Sequence, residues 1–182
     1  MATSAVPAPL AHLPNALTLL RLALIPVFVG LMVADDPANW PAGLVFAAAG
    51  VTDQIDGFLA RRWRVESQFG KIADPLADRL MIDAAALMLW VTDRLPWYAA
   101  LIILARDLIM VAGYRLVVNR GYDFEVTRVG KLATWVLYAA IGLVIVTNDG
   151  VDWPVWLFWI GVALALAAAV QYVQKARREV TA

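Results

Sequence analysis

The strongest constraint on the fold is an apolar run that stops too soon. From Trp40 the chain is apolar only as far as Val51, twelve residues, whereas a helix needs about 20 to cross a bilayer. Its next turns bring Asp53 and Asp56. A mirror image follows, with residues 71–83 polar and carrying Asp74 and Asp78, and the chain then apolar to Thr92. If both stretches belong to membrane helices, each gives a polar half to the same side of the membrane. Charged groups facing lipid are costly, so the two halves imply a shared, water-accessible cavity, and acids at that depth point to function.

Composition supports the membrane setting. With 62% hydrophobic residues, 16% charged residues and a mean hydropathy of +0.70, the chain is far more apolar than the roughly half expected of a soluble domain. Trp40, Trp90, Trp97 and Trp153 stand near the ends of apolar runs, as in an interfacial belt. Fifteen basic residues balance fifteen acidic ones, so no basic field suggests a nucleic-acid partner. The absence of Cys removes disulfides, thiolate metal sites and a Cys nucleophile. The length fits one domain, residues 1–182. The first fourteen residues hold no Lys or Arg, and no small-residue cleavage site follows, so no removable signal peptide is expected.

The expected fold is all-α: a six-helix transmembrane bundle with a short N-terminal interfacial segment. Pro7, Pro9 and Pro14 make the start irregular before a brief interfacial piece through Leu10, His12 and Leu13. His12, the sole histidine, reads as a surface residue because nothing near it offers a partner. Helices are expected over about residues 15–34, capped by Asn15, then 40–60, 71–92, 97–118, 128–146 and 153–172. Arg21, little more than a turn inside the first, either snorkels to headgroups or faces a polar cavity. Arg61, Arg62, Arg64, Arg120, Arg128, Lys175, Arg177 and Arg178 fall at one side's loops and ends, and only Arg94 at the other. The positive-inside rule then sets both termini and the aspartate cavity toward the cytoplasm of a bacterial-type plasma membrane.

Residues three, four and seven apart share a helix face, so Asp53, Asp56, Gly57 and Ala60 form one stripe, and Asp74 with Asp78 another on the next helix. Two facing carboxylate pairs repel unless a cation lies between them. Oxygen-only ligands select a hard divalent ion, Mg²⁺, Mn²⁺ or Ca²⁺, and such ions bind phosphates and neutralise charge in phosphoryl transfer. Gly57, Ala60 and Gly70 leave room beside the acids where a planar ligand could lie against backbone; ordinary close helix packing would use the same small residues.

Written out, Asp53-x-x-Asp56-Gly57-x-x-Ala60-Arg61, eight residues, then Gly70-x-x-x-Asp74-x-x-x-Asp78 resembles the complete signature of the CDP-alcohol phosphotransferases, every fixed position filled. The resemblance implies a six-helix membrane enzyme, usually a homodimer, that moves a substituted phosphate from a CDP-linked donor to an alcohol and releases CMP. It implies that Asp53, Asp56 and Asp74 hold Mg²⁺ or Mn²⁺ on the donor pyrophosphate. Asp78 would be the catalytic base and a further ligand, and Gly57, Ala60, Arg61 and Gly70 would line the cytidine diphosphate pocket with Asp53 and Asp56.

Asn15-Ala16-Leu17-Thr18-Leu19-Leu20-Arg21 with Pro26, and Gly70-Lys71-x-x-Asp74-Pro75-Leu76-Ala77-Asp78, are similar to bacterial phosphatidylglycerophosphate synthases. Their donor is CDP-diacylglycerol and their acceptor glycerol 3-phosphate. An anionic acceptor needs cations, and Arg106, Arg115, Arg128 and Lys131 on the fourth and fifth helices could supply them. Arg106-Asp107 departs from the Arg-Glu of many such synthases, and residues 121–134 match their pattern only through Gly130-Lys131. Cardiolipin synthases, which take phosphatidylglycerol as acceptor, share the signature and often have Arg-Asp; they are the second reading, ahead of inositol-phosphate or serine acceptors. A cation transporter is a third, but neither inverted repeats nor broken helices are visible.

The remaining charges have plainer expectations. Arg79 and Asp83, four apart, are expected to pair along the third helix. Arg106 and Asp107, being adjacent, are expected to seek separate partners. Arg61, Arg62 and Arg64 could also anchor to anionic headgroups.

Overall fold

A computed structural model describes the backbone of residues 13–34, 38–63, 68–118 and 128–181, and the side chains of residues 16–34, 38–52, 54–55, 79–110, 129–171 and 174. Among these residues the chain forms six α-helices and no strand: α1 (Leu13–Met32), α2 (Trp40–Trp63), α3 (Gln68–Val91), α4 (Trp97–Val118), α5 (Arg128–Val146) and α6 (Trp153–Thr181). The expected interfacial piece through His12 lies outside the described residues. α4 and α5 have the bounds expected of them. α1 begins two residues before Asn15, which therefore sits in its first turn and does not cap it, and α6 runs nine residues past 172. Its extra turns are polar, and apolar periodicity cannot register a helix that continues into water.

α5 packs most closely on α6, and α1 packs against both α2 and α3; α3 meets α4, and α2 meets α5. Gly161 of α6 lets backbones approach, since a Cβ there would stand 2.9 Å from Cγ and 3.1 Å from the backbone nitrogen of Leu137. Phe28, Phe46, Met81, Leu89, Leu137, Ile141 and Phe158 fill the shared core. Large apolar side chains also cover the outside, Leu44, Leu108, Trp156 and Ile160 among them, which suits lipid better than water. Trp40, Trp90, Trp97 and Trp153 are all exposed, in keeping with an interfacial belt.

Val129–Val146 and Trp153–Gln171 are each long and apolar enough to cross a membrane, while Ala16–Met32 and Trp40–Thr52 are shorter apolar stretches.

Three helix ends are tied together at the far end of the bundle from the acids. Asn39 caps α2, its Oδ1 accepting the Ala42 N–H at 2.9 Å, while its Nδ2 donates to Leu31 O at the end of α1 (2.7 Å) and its N–H to Ile145 O near the end of α5 (3.0 Å). After α3 the chain reverses through Asp93, at φ 55°. The Asp93 N–H bonds to Trp90 O and the Arg94 N–H to Leu89 O, the two bonds of a Schellman cap, with Asp in the left-handed position glycine usually takes. Arg94 then reaches over to donate to Val144 O (2.6 Å) and Thr147 O, and pairs with Asp149 at 2.9 Å. A cation there satisfies carbonyls that the end of α5 leaves without helical partners.

Candidate active site

The acids stand where two helices meet around a short link. Positions 53, 56, 57, 60 and 61 lie in the last three turns of α2, and 70, 74 and 78 in the first three of α3, with residues 64–67 between. α2 and α3 pack on each other and both pack on α1. Helical periodicity sets 53, 56, 57 and 60 on one face and 74 and 78 on one face. The side chains of these eight signature residues lie outside the described set, as do those of Arg115 and Arg128. By donor type the site fits a hard divalent ion, being aspartate oxygen throughout in a chain without cysteine. Among the described residues, which leave out the side chains of the signature aspartates, no cluster of three or more His, Cys, Asp or Glu could hold a metal.

Arg21 is resolved in favour of the interior. It is 1% exposed and Thr18 is wholly buried. α1 meets only α2 and α3 extensively among the described helices, so its buried face is the one turned to the helices that carry the acids. A cation on that face lowers the cost of gathering carboxylates nearby.

A fixed register joins α2 to α5. A Cβ on Gly43 would collide with Val146, Phe46 lies against Gly142, and a Cβ on Gly50 would stand 2.7 Å from Cζ of Tyr138. Phe46 and Tyr138 stack at 4.3 Å, and the Tyr138 hydroxyl donates to Phe46 O at 3.0 Å. Each turn forward along α2 is matched by a turn back along α5, so the helices are antiparallel. Continuing this register two turns brings Lys131 level with position 57 of α2. Lys131 is exposed and stands in the first turn of α5, where a long cationic chain can reach the membrane surface.

Between α3 and α4 a buried ion cluster corrects two expectations. Arg79 does not pair with Asp83. Its Nη1 lies 2.7 Å from Oδ1 of Asp107 on α4. Basic-before-acidic is the weaker order for a pair four apart, and an almost fully buried carboxylate, Asp107 at 3% exposure, gains more from a guanidinium than does the half-buried Asp83. Asp107 does find another partner in Arg79, but Arg106 and Asp107 also pair with each other, Arg106 Nη1 donating to the same Oδ1 at 2.9 Å. The arginine chain is long enough to curl back to its neighbour, and burial makes an unpaired charge costly. Asp83 is within electrostatic reach of Asp107, Arg79 and Arg106. Among the described residues Arg106 Nε is buried without a hydrogen-bond partner, which costs about 1–3 kcal/mol.

Sequence reasoning missed Tyr138, Gly50 and the shared use of Asp107. Gly50 was the one with a visible signal, lying on the Asp53 and Gly57 face at a spacing of three and seven residues.

A model of the CDP-alcohol phosphatidyltransferase family matches residues 11–167. The chain is 31% identical to a CDP-diacylglycerol–glycerol-3-phosphate 3-phosphatidyltransferase of Bacillus subtilis, over 90% of this chain and 94% of that one. It is 33% identical to the protein of the same name from Escherichia coli (92% and 96% covered). It is also 36% identical to a cardiolipin synthase (CMP-forming) of Streptomyces coelicolor (93% and 85%). With the signature intact and the match running through five whole helices into the sixth, the chain belongs to the CDP-alcohol phosphatidyltransferase family.

Proposed function

We propose that the protein transfers the phosphatidyl group of CDP-diacylglycerol to glycerol 3-phosphate, releasing CMP, as an enzyme of phospholipid biosynthesis. The names of the relatives from Bacillus subtilis and Escherichia coli support the reaction. The observation that carries the choice of acceptor is Arg106 Nε, a buried donor with no partner among the described residues. A guanidinium held by one nitrogen, with others to spare, suits a dianionic phosphate. Lys131, level with the signature face of α2, would add a second cation, with Arg115 and Arg128 as further contributors.

In this reading Asp53, Asp56 and Asp74 hold Mg²⁺ or Mn²⁺, with Asp78 as base and further ligand. The bound ion supplies charge neutralisation at the donor pyrophosphate. Gly57, Ala60, Arg61 and Gly70 border the nucleotide. Asp78 accepts the proton of the glycerol 3-phosphate hydroxyl as that oxygen attacks the donor's phosphatidyl phosphorus and the bond to CMP breaks. All six helices span the membrane, their acid-bearing ends toward the cytoplasm, and the enzyme works as a homodimer.

Cardiolipin synthesis is the second reading, favoured by Arg106-Asp107 and by the Streptomyces coelicolor relative. Phosphatidylglycerol approaches through lipid with a single phosphodiester charge, and so leans less on such cations. Arg106→Met and Lys131→Met are therefore expected to raise the KM for glycerol 3-phosphate about tenfold or more while leaving that for CDP-diacylglycerol nearly unchanged. Equal effects on both substrates would count against the assignment.

A further inference from the structure

We propose that Asp107 is a positioning residue of the acceptor site, gathering Arg79 from α3 and Arg106 from α4 onto one carboxylate oxygen so that acceptor phosphate and catalytic base keep a fixed separation. The inference rests on the acceptor reading above and assigns a role to two residues, Arg79 and Asp107, that lie outside the signature. Three observations carry it. Asp107 Oδ1 receives Arg79 Nη1 at 2.7 Å and Arg106 Nη1 at 2.9 Å. Each contact uses a single guanidinium nitrogen, not the two-pronged fork that would saturate an arginine, and Arg106 Nε keeps no partner among the described residues. Finally, Arg79 directly follows Asp78 on α3.

The consequence is mechanical. Asp107 ties the α3 turn that carries the base to the α4 residue that meets the phosphate. The distance from phosphate to reacting hydroxyl is set by the acceptor itself, so the protein must match it, and a small misplacement of either anchor is expensive in rate. Burial makes the tie rigid, Asp107 being 3% exposed, because a charge removed from water cannot easily exchange its partners. Asp83 lies within electrostatic reach of the same cluster.

The test compares Asp107→Asn, Asp107→Glu, Arg106→Met and the Asp107→Asn/Arg106→Met double variant of the full chain, measuring KM for each substrate and kcat by CMP release. Asparagine keeps the shape but loses the charge, and should raise the KM for glycerol 3-phosphate about tenfold or more with the CDP-diacylglycerol KM nearly unchanged. The donor KM also reports that the site is folded. Glutamate, which restores the charge, should recover much of the loss. Adding Asp107→Asn to Arg106→Met should cost less than the sum of the two single effects, since the Asp107–Arg106 contact they share is lost only once. Unchanged KM values in Asp107→Asn, an equal rise for both substrates, or full additivity in the double variant would each overturn the proposal. If the wild-type protein turns over phosphatidylglycerol and ignores glycerol 3-phosphate, the acceptor reading fails by itself. The same variants then judge Asp107 by the phosphatidylglycerol KM, where loss in asparagine, recovery in glutamate and non-additivity still support its positioning role and their absence refutes it.

Discussion

Gly50 of α2 lies directly against the ring of Tyr138 of α5, so close that a methyl group would stand 2.7 Å from Cζ. The ring cannot simply swing aside, because its hydroxyl donates to Phe46 O and its face stacks on Phe46. Gly50→Ala should therefore push α5 away from α2 at the level just below Asp53. Overpacking of this kind costs about 1–3 kcal/mol. A thermal-shift measurement in detergent should show the loss, and the KM for glycerol 3-phosphate should rise as Lys131 leaves its register. Stability and kinetics like the wild type would show that the contact relaxes freely.

The opposite end of the bundle should behave differently. Arg94 joins the α3–α4 turn to the end of α5 through Val144 O, Thr147 O and Asp149, far along both helices from the acids. Arg94→Met strands those carbonyls and is expected to cost about 2 kcal/mol or more, seen as a lower unfolding temperature with both KM values intact. A selective change in acceptor KM would mean that this end communicates with the site.

The acids divide their labour in the proposed mechanism. Asp53→Asn should weaken metal and CDP-diacylglycerol binding together, because the pyrophosphate loses its bridging cation. Asp78→Asn should keep much of the donor binding yet lose turnover by about 10²-fold or more. Donor binding lost equally in both variants would make Asp78 an ordinary ligand.

Orientation can be read with an impermeant thiol reagent on intact cells, helped by a chain that has no cysteine of its own. Val151→Cys in the α5–α6 connection should label, and Arg62→Cys only after permeabilisation. The reverse pattern would invert the topology.

Much of this architecture was legible in the sequence because its strongest signals are local. Helix bounds follow apolar runs and the proline and aspartate residues that end them, and α4 and α5 fell where expected. The signature was legible for the same reason, being a set of spacings on two consecutive helices. What escaped depends on pairs distant in the chain. Asp107 is twenty-eight residues from Arg79, and no periodicity on either helix says that one will reach the other; the nearer candidate, Asp83, was the natural expectation. Tyr138 and Gly50 are unremarkable until the α2–α5 register brings them together. Arg21 could not be assigned to lipid or interior until the packing of α1 on α2 and α3 was known.

The acceptor is tested most directly by turnover. Purified wild-type protein is given CDP-diacylglycerol and a divalent cation, then glycerol 3-phosphate or phosphatidylglycerol separately, and CMP release is measured alongside the lipid product. CMP release is expected with glycerol 3-phosphate, matched by phosphatidylglycerophosphate, and little with phosphatidylglycerol. CMP release with phosphatidylglycerol alone, yielding cardiolipin, would contradict the glycerol 3-phosphate assignment.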